Sequence, residues 1–272
     1  MGATLAIFAA ALGIGGGLRA EEDMRPFLEP TEWVDSQHPA VIDAARRATR
    51  GAATDREKAV RLHDFVRDEI RFGWTHAFYR MRASDVLRAR VGYCNTKATL
   101  FVGLLRASGI PARQRFVDLD ARVLRGLLST GRAYVDHSFT EVRLGGAWQR
   151  VDSYVVDMSL HRAAREKLAR DGGELGWGIH RNGTPVWDGT GDAFVQWVDD
   201  GSVEWLTTVD HGVFEDSPAF YATGRGNDGL KGMRGLLIRL FVEGGTARAE
   251  GLRAAGRPAA LAPRAAASGS PS

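Results

Sequence analysis

Three residue types in this 272-residue chain are placed to do nucleophilic chemistry together: a cysteine, a histidine and an aspartate. The one cysteine, Cys94, follows Val91-Gly92-Tyr93 and precedes apolar residues at helical spacing (Ala98, Phe101, Val102, Leu104, Leu105) that run to Gly109. That pattern puts Cys94 at or near the N-terminus of a buried helix. Unpaired backbone N–H groups and the positive end of the helix dipole favour thiolate over thiol there, and the thiolate is the nucleophile. Alkylation of Cys94 is therefore expected to persist well below the unperturbed thiol pKa of about 8.5. The blander alternative is a lone cysteine acting as a small buried hydrophobe.

A thiolate nucleophile needs a base, and the base needs an orienting group. His137 to Leu144 and Ala147 to Tyr154 are alternating, β-prone runs on either side of Gly145-Gly146, the signature of a two-residue hairpin. With Leu144 opposite Ala147, Phe139 faces Asp152 and His137 faces Tyr154, so all four share one face. His137 and Asp152 are then diagonal neighbours within reach of each other. Asp152 can hold one ring nitrogen while the other faces the thiol. A bulge would break this register.

Each of these residues has a structural alternative: a satisfied strand histidine, a strand-ending aspartate. Asp136 is the rival acid, but alternation points it to the opposite face from His137. Glu141 and Arg150 fall opposite each other and read as a weak cross-strand ion pair. His211 is a reserve histidine whose carboxylate neighbour is Asp210. No Gly-x-Ser-x-Gly elbow occurs, nor any His-Glu-x-x-His motif. One cysteine excludes an intrachain disulfide and a multi-cysteine zinc site, so no metal or cofactor is implied.

The elements that must position these groups follow from periodicity. Pro39 to Arg50 reads as a first helix. Thr54-Asp55-Arg56-Glu57 is a capping box opening a second, with Val60, Leu62, Phe65, Val66 and Ile70 on one stripe. Ser84-Asp85 caps a short helix through Arg88. Arg113 to Asp118 is a strand, Val123 to Leu128 a helical turn and Leu160 to Ala169 a helix. Residues 172–212 are loops with short strands. Their Trp177, Trp187 and Trp197 either wall a cleft or fill a small second core. Residues 235–242 are apolar, strand or helix undecided. From Gly244 the chain is Ala, Gly, Arg, Pro and Ser and reads as a dispensable disordered tail, 244–272.

The composition, 44% hydrophobic and 25% charged, suits a globular domain over residues 24–243. The net charge is +3 with no basic face or stripe, which argues against a nucleic-acid partner. Ala3 to Leu18 is apolar but too short for stable membrane insertion, and no Lys or Arg precedes it. Residues 1–23 therefore read as an apolar leader or a mis-assigned start. A cytoplasmic protein is favoured, an exported one if residues 1–20 are a true signal peptide.

Three blocks carry a family resemblance: Gly92-Tyr93-Cys94 with the helix that ends Arg106-Ala107-Ser108-Gly109-Ile110-Pro111-Ala112-Arg113; His137-Ser138-Phe139-Thr140-Glu141-Val142; and Gly146-Ala147-Trp148-Gln149-Arg150-Val151-Asp152. The chain resembles the bacterial transglutaminase-like family of the papain-like superfamily, from about Met24 to Tyr221. The resemblance implies an α+β papain-like fold, N-terminal helices including the cysteine helix packed on an antiparallel sheet. It implies Cys94 as nucleophile, His137 as general base and acid, and Asp152 as orienting acid. It further implies attack on a carboxamide, a thioester acyl-enzyme, and transfer to an amine or water, with a peptide, protein or small amide as substrate. The Cys94 N–H is the natural oxyanion donor; Trp74 and Tyr93 are candidate substrate-binding residues, Trp74 also as a second donor. Asn95 after the nucleophile departs from the pattern. The alternatives are an idle fold used as a binding module, and an arylamine N-acetyltransferase, whose Arg-Gly-Gly and Glu around the nucleophile this chain lacks.

Overall fold

The computed structural model describes residues 22–198, 209–226 and 236–256. Residues 1–21 of the 1–23 leader and the last part of the tail, residues 257–272, lie outside them. In chain order the elements are α1 (Pro39–Ala48), α2 (Asp55–Glu69), β1 (Arg71–Phe72), α3 (Ala83–Ala89), β2 (Val91–Gly92), α4 (Cys94–Ala107), β3 (Ala112–Asp120), β4 (Tyr134–Leu144), β5 (Ala147–Val151), α5 (Met158–Asp171), β6 (Leu175–Gly176), β7 (Ile179–His180), β8 (Asp210–Phe214), α6 (Ser217–Ala222) and α7 (Leu236–Ala255).

Local chemistry sets the helix ends. Thr54 Oγ1 accepts from Glu57 N at 3.1 Å, and Glu57 Oε2 accepts from Ala53 N at 2.6 Å, so the glutamate reaches one residue beyond the expected box. The α3 helix starts at Ala83, and Ser84 is not its cap. Ser84 instead gives its N–H and hydroxyl to Asp35, while Asp85 accepts from Arg82 N at 3.2 Å.

Every residue of α4 from Cys94 to Arg106 is buried. A helix enclosed on all sides is central: α1, α2 and α3 pack on it, and β3 and β4 cover its remaining face. Its polar side chains must then find partners inside. Lys97 Nζ donates to Ile70 O at 2.7 Å and Arg67 O at 3.4 Å. Arg106 donates to Ala112 O at 3.1 Å and Glu29 O at 2.6 Å.

The main sheet is antiparallel in the order β5-β4-β3-β8. Gly145 and Gly146, at φ +57° and +79°, form the hairpin turn. Leu144 lies opposite Ala147, and the register holds without a bulge to Thr140 opposite Val151. Glu141 and Arg150 are indeed opposite, yet they do not pair. Arg113, directly across on β3, takes Glu141 at 2.5 Å, and Arg150 turns to Asp192 at 2.7 Å. The architecture is α+β, with Cys94 on a helix packed against an antiparallel sheet.

The expected disorder from Gly244 is overturned as far as Ala255. Residues 236–255 form α7, which packs on α5 and buries Val242, Ala249, Leu252 and Arg253. The small-residue composition that reads as low complexity permits close helix packing instead. No helix among the described residues is long and apolar enough to cross a membrane.

Candidate active site

Cys94 opens α4 because the chain arrives from β2, hydrogen-bonded in parallel to β1, and turns at Tyr93. Gly92 lies against the first turn of the helix: a Cβ there would sit 2.8 Å from Thr96 Oγ1 and 3.0 Å from Lys97 Cγ. Only glycine lets β2 approach this closely. Cys94 is 9% exposed, and its thiol donates to Asn95 Oδ1 at 3.3 Å.

The histidine and aspartate arrive from the hairpin. His137 lies in β4 and is 1% exposed; Asp152 follows the last residue of β5 and is fully buried. The β5 ladder ends at Val151, and the Asp152 N–H donates to Ala193 O at 3.0 Å. Asp152 Oδ1 accepts from Val195 N at 2.5 Å. His137 Nε2 lies 3.3 Å from Asp152 Oδ2, near enough for an ion pair but out of line for a hydrogen bond, and neither atom has another partner. The two groups are within reach of each other but not hydrogen-bonded. Trp197 sets its ring edge-on to His137 at 5.3 Å and 88°, and stacks on Phe194 at 4.0 Å. This apolar cover keeps water from the His137–Asp152 contact.

Cys94, His137 and Asp136 line one cavity of about 80 Å³ with Trp74, Phe78, Tyr93 and Gln196. Tyr93 stacks on Phe78 at 4.9 Å and on Trp74 at 6.1 Å, forming an aromatic wall. Leu128 and Thr130 border both this cavity and an open groove of about 670 Å³ that carries Arg122, Arg125 and Arg248. The hairpin thus brings His137 and Asp152 together and puts His137 in the wall of the cavity that Cys94 also lines. Tyr93 and Trp74, read as substrate-binding candidates, stand in the same cavity.

Other expectations are corrected. Burial pushes the Cys94 thiol up to about 12, with the charges of Asp136 and Asp152 in the same direction, against backbone N–H groups of Ser138 and Asn95. The helix N-terminus is present, but removing the sulfur from water outweighs it. His211 is held by Asp118 at 2.9 Å, not by Asp210, which binds Arg115 at 2.6 Å. Trp187 packs with His63 and Phe101, and Trp197 belongs to a smaller apolar cluster with Val117, Leu119 and Phe139. Neither walls the cavity. Trp197 thus fills the small second core that was one of its two expected roles, whereas periodicity had no means to find Tyr221, whose hydroxyl reaches Asp136 across 85 residues of sequence.

The segment 42–153, which contains all three candidate residues, matches the family model described as the transglutaminase-like superfamily. This segment of the chain is transglutaminase-like. No curated relative matches. Among solved structures, a candidate cysteine protease from Cytophaga hutchinsonii is 21% identical with TM-score 0.40, over 48% of this chain and 42% of that one. A candidate protease from Parabacteroides distasonis is 18% identical with TM-score 0.32, over 47% of this chain and 24% of that one. The chain thus spans less than half the length of either. The α4 helix and strands β3, β4 and β5 of the sheet described above all lie within the matched segment.

Proposed function

We propose that the protein is a cysteine-dependent enzyme acting on carboxamides through a thioester acyl-enzyme. The observation that carries this reading is the convergence on one cavity of Cys94, at the start of α4, and His137, whose Nε2 is 3.3 Å from Asp152. In this reading His137 Nδ1 takes the thiol proton as sulfur attacks the carbonyl carbon, and the Cys94 N–H faces the developing oxyanion. The tetrahedral adduct collapses, the C–N bond breaks, and His137 returns the proton to the departing amine or ammonia. Water or an amine, deprotonated by the same nitrogen, then attacks the thioester and restores the thiol. Asp152 holds the ring on Nε2 throughout and offsets its positive charge. The thiol, raised to about 12 at rest, becomes reactive only as the proton passes to His137. A peptide or protein-like amide would lie along the groove and present its carbonyl at the Tyr93–Trp74 wall.

The second reading is a catalytically idle fold used as a binding module. Two observations favour it: the buried, high-pKa thiol and the misaligned His137–Asp152 contact. Incubation with a library of peptide amides, followed by intact-protein and peptide mass spectrometry, separates the two. An acyl adduct on Cys94 that is lost in Cys94→Ala supports the enzyme. Retention of ligand with no adduct and no product under any condition supports the module and overturns the enzyme.

A further inference from the structure

The side chain after the nucleophile is not idle. Asn95 is fully buried, and each end of its amide meets a different partner. Nδ2 donates to Tyr221 OH at 2.7 Å, and Tyr221 OH in turn donates to Asp136. Oδ1 accepts from Ser138 Oγ at 3.0 Å and from the Cys94 thiol at 3.3 Å. Gln114 Nε2 donates to Ser138 Oγ at 3.0 Å and to Asn95 O at 3.1 Å. Tyr79 lies flat on the Tyr221 ring at 3.9 Å and fixes where the hydroxyl points.

Donor and acceptor roles make this chain directional. A carboxylate only accepts, so the Tyr221 proton goes to Asp136. The hydroxyl lone pair must then receive an N–H, which orients the Asn95 amide with Nδ2 toward Tyr221. Its oxygen is left facing Cys94 and Ser138. Ser138 strengthens the same choice from the other side: its oxygen receives Gln114, and its proton goes to Asn95 Oδ1. An oxygen facing sulfur accepts from S–H and repels S⁻, whereas a flipped amide would offer S⁻ a donor.

We propose that Tyr221 and Ser138, with Asp136 behind Tyr221, are positioning residues that lock the Asn95 amide so that its oxygen holds Cys94 as a resting thiol. The inference rests on Cys94 being the reactive group of the proposed function, but not on turnover. The lock keeps the sulfur from reacting before a substrate fills the cavity. The groups that bear on Cys94 are Asp136 and His137 on β4, Asp152 after β5, and the hydroxyls of Tyr93, Tyr154 and Tyr221. Burial and the Asp136 charge both push the Tyr221 phenol well above its usual range. The hydroxyl therefore keeps its proton over the whole working pH range, and the direction of the chain does not reverse.

Iodoacetamide alkylation of Cys94 as a function of pH tests this without any substrate. The Ser138→Ala/Tyr221→Phe double variant frees the amide to flip, and Ser138→Ala keeps the backbone N–H that faces sulfur. Its alkylation profile should move about one pH unit lower than wild type, or about tenfold faster at pH 7.5. Tyr221→Phe alone should move part of the way, and Ser138→Thr, which keeps the hydroxyl, should follow wild type. Asn95→Asp should move the profile up. Far-UV circular dichroism and thermal midpoints identify any variant that fails to fold, and the single variants then decide. Superposable profiles for wild type, Tyr221→Phe and the double variant overturn the lock, even if acyl adducts form on Cys94. Shifted profiles with no acyl adduct sustain the lock and overturn the enzyme reading instead.

Discussion

Two buried carboxylates in this molecule have nearly opposite environments. Asp157, at the start of α5, is saturated. Its Oδ1 accepts from Leu160 N at 3.0 Å, Ser159 Oγ at 2.6 Å and Arg253 Nε at 3.1 Å. Its Oδ2 accepts from Phe72 N at 3.1 Å and from Arg253 Nη2, which also donates to Phe72 O at 2.8 Å. Burial alone would raise its pKa, but the Arg253 guanidinium more than offsets this and holds it well below the usual carboxylate range. Asp152, past the end of β5, has one oxygen satisfied by Val195 N and the other only near His137 Nε2. A fully satisfied buried network rigidifies; a partly satisfied one holds back hydrogen-bonding capacity at a cost in stability. The first cluster ties α5, β1 and α7 together. The second leaves one Asp152 oxygen without a hydrogen bond beside His137, a residue of the cavity wall; under the proposed function that oxygen is available to the ring when His137 takes up charge.

The contrast between the two carboxylates can be broken from either side. The largest effect is expected at the sulfur: Cys94→Ala should abolish acyl-adduct formation and amide turnover while the far-UV spectrum stays the same. Residual turnover in that variant would remove Cys94 from the chemistry. Asp152→Asn keeps the acceptor for Val195 N but no longer offers a carboxylate to the ring. Its turnover should fall on the order of 10⁴-fold with the fold retained; a change of less than tenfold would make Asp152 a structural residue like Asp157.

Arg253→Met attacks the saturated cluster. It strands the Asp157 charge inside the protein and should cost about 3–5 kcal/mol in urea unfolding. Truncation before Gly244 removes the same side chain together with residues 244–255 of α7 and should lower the thermal midpoint further. An unchanged midpoint would restore the reading of a dispensable tail.

Acid should separate the clusters next. The folded-state pKa of Asp157 lies below its unfolded value of about 3.9, so its contribution is complete above that value and lost as pH falls below it. Wild type should therefore lose stability relative to Arg253→Met as pH drops below about 4, and a pH-independent difference would contradict the pairing. The smallest effect concerns Lys97, which burial pushes down to about 7. Its unfolded value is about 10.4, so the unfolded chain holds the extra proton between those values and stability from this residue rises with pH across that window. The stability difference between wild type and Lys97→Met, measured at pH 7 and pH 9.5, should shift toward wild type at the higher pH. A constant difference would mean that Lys97 stays charged inside.

How much of this was legible depends on the range of each interaction. The α4 stripe, the Thr54 cap and the Gly145-Gly146 turn are written within a few residues, and each stands where periodicity and turn chemistry put it. The hairpin register set by that turn brought His137 and Asp152 within 3.3 Å. The Glu141–Arg150 pair failed because the two-strand pattern is blind to the third strand, whose Arg113 is nearer. The tail failed because composition does not register that one arginine, Arg253, finds a buried carboxylate 96 residues away.

By itself, the sequence determined the order and type of the elements around the site, the helix that begins at Cys94, and the pairing of His137 with Asp152. Those rest on local periodicities and on a hairpin that closes over a two-residue turn. Only the tertiary structure decided how dry the thiol is, which way the Asn95 amide faces, that Trp197 covers His137, and that α7 is held to the core. Each of these depends on desolvation or on hydrogen bonds between residues far apart in sequence, and both are set by three-dimensional packing that no local pattern records.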